Sequence, residues 1–207
     1  MDREKQIKED IRKDWFKDHV ATLTQHGDLQ VLDWAKPGTR VYYCRFVFDR
    51  NMMYISGDIG EAVFCLTWKA NVHSFNGIST NYFMEKMQAY SNERYDYDGK
   101  EAAAYLKQWL EEHIEDMEFE DDFEDGEDKK EFLENFNELV ADAESCDSEN
   151  QWAWEYVNEK WNDFISEKID QDYWEWIYHI GRVTPNRILG YIVALQMASE
   201  QLKAKGE

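Results

Sequence analysis

Nineteen carboxylates lie between Glu111 and Glu149, against two basic residues, Lys129 and Lys130. The densest part of the run holds Glu111, Glu112, Glu115, Asp116, Glu118, Glu120, Asp121, Asp122, Glu124, Asp125, Glu127 and Asp128. Carboxylates this close together do one of two things: they hold a metal cation, or they present a negative field to a positive partner. Calcium is the first test, because Asp121 to Phe132 has an EF-hand loop's length with Gly126 at the sixth place. Phe123 stands where an oxygen ligand is needed and Phe132 where the closing bidentate carboxylate belongs, so the loop is not an EF-hand. The field remains. The segment nets −17, the 110 residues before it −1 and the 58 after it −3. Folding such a segment costs repulsion, and the dense residues are read as a surface for a Lys/Arg-rich partner. Nucleic acid and anionic membrane would be repelled.

Other chemistry is weaker. The histidines His19, His26, His73, His113 and His179 are scattered, with no HExxH or HxH spacing. His113 sits among Glu111, Glu112, Glu115 and Asp116 and reads as a surface histidine. Asp58 and Glu61 flank Gly60 and would serve as paired carboxylates, but Gly-Asp-x-Gly is turn chemistry first. Glu127-Asp128-Lys129 has the Glu-x-Lys form of some nucleases, which so acidic a stretch produces by chance. No phosphate-cradling glycine loop and no Ser/His/Asp or Cys/His nucleophile pattern is present. No catalytic residue, metal ligand or cofactor is therefore assigned. Trp152, Trp154, Trp161, Trp174 and Trp176 would suit base stacking only in basic surroundings. They neighbour Glu155, Glu159, Asp170, Asp172 and Glu175 and are read as helix-packing residues, one or two of them exposed at an interface.

The elements that position these residues follow from periodicity. At 207 residues, 43% hydrophobic and 15% aromatic, the chain builds a substantial core. No apolar run approaches the roughly 20 residues of a bilayer span. The charged start, MDREKQIKEDIRKDW, is unlike a signal peptide. Three cysteines without metal-ligand spacing suit free thiols in the cytoplasm. Ile7, Ile11, Trp15 and Val20 predict a helix over 3–20. Leu29–Trp34, Val41–Phe48, Met52–Ser56 and Ala62–Trp68 predict a four-stranded antiparallel meander, with Lys36-Pro37-Gly38-Thr39 as a type II turn. Helices are expected over 80–92 and 100–117, around Phe132–Val140, through Trp154, Val157, Trp161, Phe164 and Ile165, over 173–179, and from Pro185 to about Lys203. The expected class is α+β: an N-terminal helix and meander, then a mostly helical C-terminal half. The expected division is an α+β scaffold over 1–92 and a helical acidic domain over 93–207, possible also as one continuous domain. Were 111–149 a single helix, it would span roughly 58 Å at about 1.5 Å per residue. Its charge would then fall every roughly 3.4 Å, the phosphate spacing of one DNA strand.

Gly38-Thr39-Arg40-Val41-Tyr42-Tyr43 and Met53-Tyr54-Ile55-Ser56-Gly57-Asp58-Ile59-Gly60-Glu61-Ala62-Val63-Phe64 resemble a stretch that recurs in uncharacterised proteins of bacteriophages and mobile elements. The likeness fixes no catalytic residue; it implies a genomic setting. Small acidic phage proteins resemble, as a class, the anti-restriction and anti-CRISPR inhibitors that imitate nucleic acid. The chain carries none of the motifs of the best-known anti-restriction mimics. Charge and setting together imply an inhibitor working in the host cytoplasm, with a CRISPR effector nuclease as partner ahead of a restriction enzyme. The competing expectation is a metal-dependent nuclease or hydrolase acting on RNA, DNA or a signalling nucleotide, centred on Asp58 and Glu61.

Overall fold

A computed structural model of the protein describes residues 3–117 and 127–206. The chain is α+β, with an antiparallel sheet in its N-terminal half and helices toward its C-terminus. Helix α1 (Arg3–Asp10) runs into a π-helical turn, Ile11–Trp15, closed by the Phe16 N–H on the Ile11 carbonyl at 3.1 Å. Ile11 and Phe16 are buried there. Strands β1 (Val20–His26), β2 (Leu29–Ala35), β3 (Cys44–Asp49), β4 (Met52–Gly57) and β5 (Ala62–Cys65) follow. Helix α2 (Thr80–Glu85) precedes the last strand of the sheet, β6 (Met87–Tyr90). The order is β1-β2-β3-β4-β5-β6, each strand antiparallel to the next.

The four expected strands are thus the middle of six. The helix expected to reach Val20 stops at Trp15, and Val20 opens β1, where it is exposed. Val20 continued the apolar spacing of α1 by coincidence, while pairing with β2 decided its state. The helix expected over 80–92 ends at Glu85, because Phe64 and Val63 recruit Met87 and Ala89 into the sheet. The type II turn stands: Gly38 has φ +82° and the Thr39 N–H reaches the Lys36 carbonyl.

Alternation along the strands sends Leu32, Trp34, Phe46, Phe48, Met53, Ile55 and Phe64 into one buried cluster. The chain's last helix, which we number α7 (Asn186–Lys205), joins that cluster through Ile188, Leu189, Tyr191, Ile192, Leu195, Ala198 and Leu202. A helix apolar on almost every side must be buried. By contact, residues 1–94 with 184–207 form one unit and residues 95–183 a second. The segment 184–207, expected with the helical domain, groups with the sheet because α7 completes the sheet's core.

The second unit holds α3 (Gly99–His113), α4 (Glu127–Ser145), α5 (Glu149–Gln151) and α6 (Asn162–Phe164). Its two-stranded ribbon pairs β7 (Asp96–Tyr97) with β8 (Arg182–Val183). The Asp98 carboxylate caps α3 by accepting the Lys100 N–H at 3.0 Å. A π-helical stretch covers Trp152–Lys160, another Ile165–Ile169, and short 3₁₀ turns Tyr173–Glu175 and Ile177–His179 replace the helix expected over 173–179. Among the described residues no helix is long and apolar enough to cross a membrane.

Candidate acidic interface

Helices α3 and α4 pack antiparallel. Gly99 at the start of α3 lies against the Ala143 and Glu144 carbonyls at the end of α4, while Trp109, one turn from the other end of α3, stacks on Phe136 at 6.0 Å. Ala102, Ala103 and Leu106 of α3 meet Phe132, Phe136, Leu139, Val140 and Ala143 of α4 in one core. With the apolar stripes facing each other, the charged residues are left outward. Glu111, Glu112, Glu115 and Asp116 are exposed at the end of α3, as is Asp128 at the start of α4. Glu127 is the first residue of α4. The expectations for Glu118, Glu120, Asp121, Asp122, Glu124 and Asp125 lie outside the described residues.

The acidic run is not one 39-residue helix: α3 ends at His113 and α4 begins at Glu127, so its described residues lie mostly at the end of α3 and along α4. Glu131, Glu134, Glu138 and Glu144 along α4 are exposed as well and belong with the twelve expected residues. Two members of the run work inside the fold. Asp142 accepts Lys160 Nζ at 2.6 Å and Trp161 Nε1 at 2.7 Å. Glu149 accepts a fork of bonds from Arg182, whose guanidinium holds the Glu149 carboxyl below its ordinary range. His113 stacks on Trp109 at 4.5 Å and its Nδ1 donates to the Trp109 carbonyl at 2.7 Å, a helix-end contact.

The contact-defined units sharpen the charge argument. Residues 95–183 hold 29 acidic and seven basic side chains, a net of −22; the other unit holds 15 and 16, a net of +1. A window drawn on the acidic run alone misses Glu155, Glu159, Asp163, Glu167, Asp170, Asp172 and Glu175, which the fold adds to the same body. Only contacts, not composition, could show that.

Asp58 and Glu61 do share a cleft. It encloses about 400 Å³ and is lined by Arg40, Tyr43, Arg45, Ser56, Gly57, Asp58 and Glu61. No histidine lines it. Asp58 Oδ2 accepts the Tyr42 N–H at 2.7 Å, holding Tyr42 at φ +56°, so the turn uses this carboxylate. Arg45 Nε and Tyr43 Oη both donate to Asp33, which lowers the Asp33 pKa even though partial burial acts the other way. Among the described residues no group of three or more His, Cys, Asp or Glu side chains is placed to hold a metal ion. All three cysteines are free thiols; burial pushes Cys146 up to about 11.

No family model, no curated protein and no solved structure matches this chain.

Proposed function

We propose that the chain is a non-enzymatic inhibitor of a host defence nuclease, acting by acidic imitation of nucleic acid. The −22 unit occupies the Lys/Arg-lined channel of a nucleic-acid-binding protein, a CRISPR effector ahead of a restriction enzyme. The observation that carries this reading is the partition of charge: one unit of −22 beside one of +1. Charge kept only for solubility has no reason to collect in one body. Two adjacent antiparallel helices, whose axes lie about 8–10 Å apart, set parallel rows of carboxylates at a spacing side chains built for phosphates can meet. Long-range attraction speeds encounter and local contacts select the partner. The experiment is a pull-down from host lysate at about 50 mM and about 200 mM salt, a range over which phosphate-type contacts weaken strongly. Salt-sensitive capture of a nucleic-acid-handling protein supports the proposal; capture of none sinks it.

One observation favours a hydrolytic reading: Asp58 and Glu61 line a polar cleft with two arginines. Labelled RNA and DNA incubated with the protein, with Mg²⁺ or with EDTA, decide it. Metal-dependent cleavage lost in both Asp58→Ala and Glu61→Ala would replace the inhibitor proposal.

A further inference from the structure

The fold sorts Trp152, Trp154, Trp161, Trp174 and Trp176 into two kinds. Trp152 and Trp161 are buried and Trp176 half-buried, and each indole N–H donates: to the Ile177 carbonyl at 2.7 Å, to Asp142 at 2.7 Å and to Asp170 at 2.8 Å. Trp154 and Trp174 are 66% and 54% exposed. The cause is local. The π-helical stretch buries Trp152 and Val157, five residues apart, with Trp161 and Ile165 buried beyond it at spacings of four, and the wide turn leaves Trp154 outside. Trp174 sits in a single 3₁₀ turn whose buried residue is its neighbour Tyr173.

The same unit shows what an aromatic ring beside a carboxylate does with a cation. Lys160 is held by Asp142 and lies over the Trp161 ring at 4.8 Å. Arg182 is held by Glu149 and lies over the Tyr95 ring at 5.3 Å. Each pairs an ion contact with an aromatic face. Trp154 has exposed Glu155 beside it and exposed Glu159 one π-helical turn on; Trp174 lies between exposed Asp172 and Glu175. None of these four carboxylates is in an ion pair among the described residues.

We infer that Trp154 and Trp174 are docking points for arginine side chains of the partner, each stacking a guanidinium while its flanking carboxylates neutralise it. Arginine is the fitting cation because its planar, weakly hydrated group stacks on indole as lysine's ammonium does not. Carboxylates alone meet lysine and arginine both; the indoles add a further preference for the cation that stacks. This inference rests on the inhibitor proposal and deepens it by naming what the partner surface must present.

The test uses the full chain and labelled oligo-arginine and oligo-lysine peptides of equal length, followed by fluorescence anisotropy at two ionic strengths. The wild type is expected to bind both in a salt-sensitive way and oligo-arginine more tightly. Trp154→Ala with Trp174→Ala should lose about two- to five-fold in oligo-arginine affinity per tryptophan and most of the preference, with the salt slope unchanged. Trp154→Phe with Trp174→Phe, which keeps a ring at each place, should lose less and keeps the test open if the alanine pair fails to fold by circular dichroism. An arginine preference undiminished in the alanine pair, or absent from the wild type, overturns the inference and leaves the acidic proposal standing. Failure of the wild type to bind either peptide overturns both. Two other results would assign the indoles elsewhere and also overturn it: self-association in sedimentation velocity that both tryptophans are needed for, or binding of a labelled oligothymidine.

Discussion

Arg182 forks onto Glu149, its Nε at 2.9 Å and its Nη2 at 2.7 Å from the two carboxylate oxygens. The contact ties the ribbon strand β8 to the start of α5, so this carboxylate belongs to the fold and not to the surface field. Its bond to Arg182 lowers the Glu149 pKa. A carboxyl whose folded pKa is depressed stabilises fully above its unfolded value of about 4.3, and that stability is lost as pH falls through the folded value. Glu149→Gln should cost about 1–2 kcal/mol at pH 7, reduced from a buried pair because the side chains are a third exposed, and should remove that acid-range loss. Urea midpoints at pH 7 and at about pH 4 check both.

His19 gives a second pH effect, in the sheet unit. His19 is 3% exposed, and its ring lies 5.0 Å from Phe16 and 5.6 Å from Trp34. Burial lowers its pKa. The unfolded chain therefore takes the proton first, and stability falls as pH drops below about 6.5, the unfolded value, until the folded value is passed. His19→Leu should flatten the fall of the denaturant midpoint as pH drops below about 6.5. A slope unchanged in that variant would assign the effect elsewhere.

Gly99 predicts against helix propensity. Alanine at a helix position is ordinarily better than glycine by about 1 kcal/mol. A Cβ here would lie 2.6 Å from both the Ala143 and Glu144 carbonyl oxygens, all backbone that cannot swing away. Gly99→Ala should instead destabilise the acidic unit by about 1–3 kcal/mol as α3 and α4 are forced apart, read as a lower thermal midpoint.

How much of this was legible in the sequence depends on whether local pattern or tertiary pairing decided it. Helices α3 and α7 and strands β2 to β5 carry clean periods, and the Pro-Gly turn carries its own chemistry. Val20 and Met87 to Tyr90 carry a helical spacing that misleads; they are strands because β2 and β5 offer them edges. Trp154 was misplaced for a definable reason. With Val157 and Trp161 it fits an α-helical stripe at spacings of three and four, but the chain takes the π spacing that buries Trp152 instead. The acidic segment was visible as composition. That Asp142 and Glu149 are spent internally while α4 adds Glu131, Glu134 and Glu138 outside was not, since it depends on where Lys160 and Arg182 arrive from.

The exposed acids should resist folding slightly. Glu131 has exposed like-charged neighbours at Asp128 and Glu134, each three residues away on α4. Glu131→Gln should stabilise the unit by about 0.2–0.5 kcal/mol per relieved pair at low ionic strength, and by less at high salt. Equal gains at both ionic strengths would mean the effect is not electrostatic.

Many exposed carboxylates share the binding of a basic partner in the proposed inhibitor. Isothermal titration against the captured nuclease, at two ionic strengths, tests it most directly in a variant with Glu111, Glu112, Glu115 and Asp116 all neutralised to Gln or Asn. Each exposed pair is worth about 0.2–1 kcal/mol, so any one substitution should weaken binding slightly and all four together by about 1–4 kcal/mol, with a flatter salt dependence and an unchanged circular dichroism spectrum. Full affinity with an unchanged salt slope in the quadruple variant would contradict the claim and move the interface away from these carboxylates.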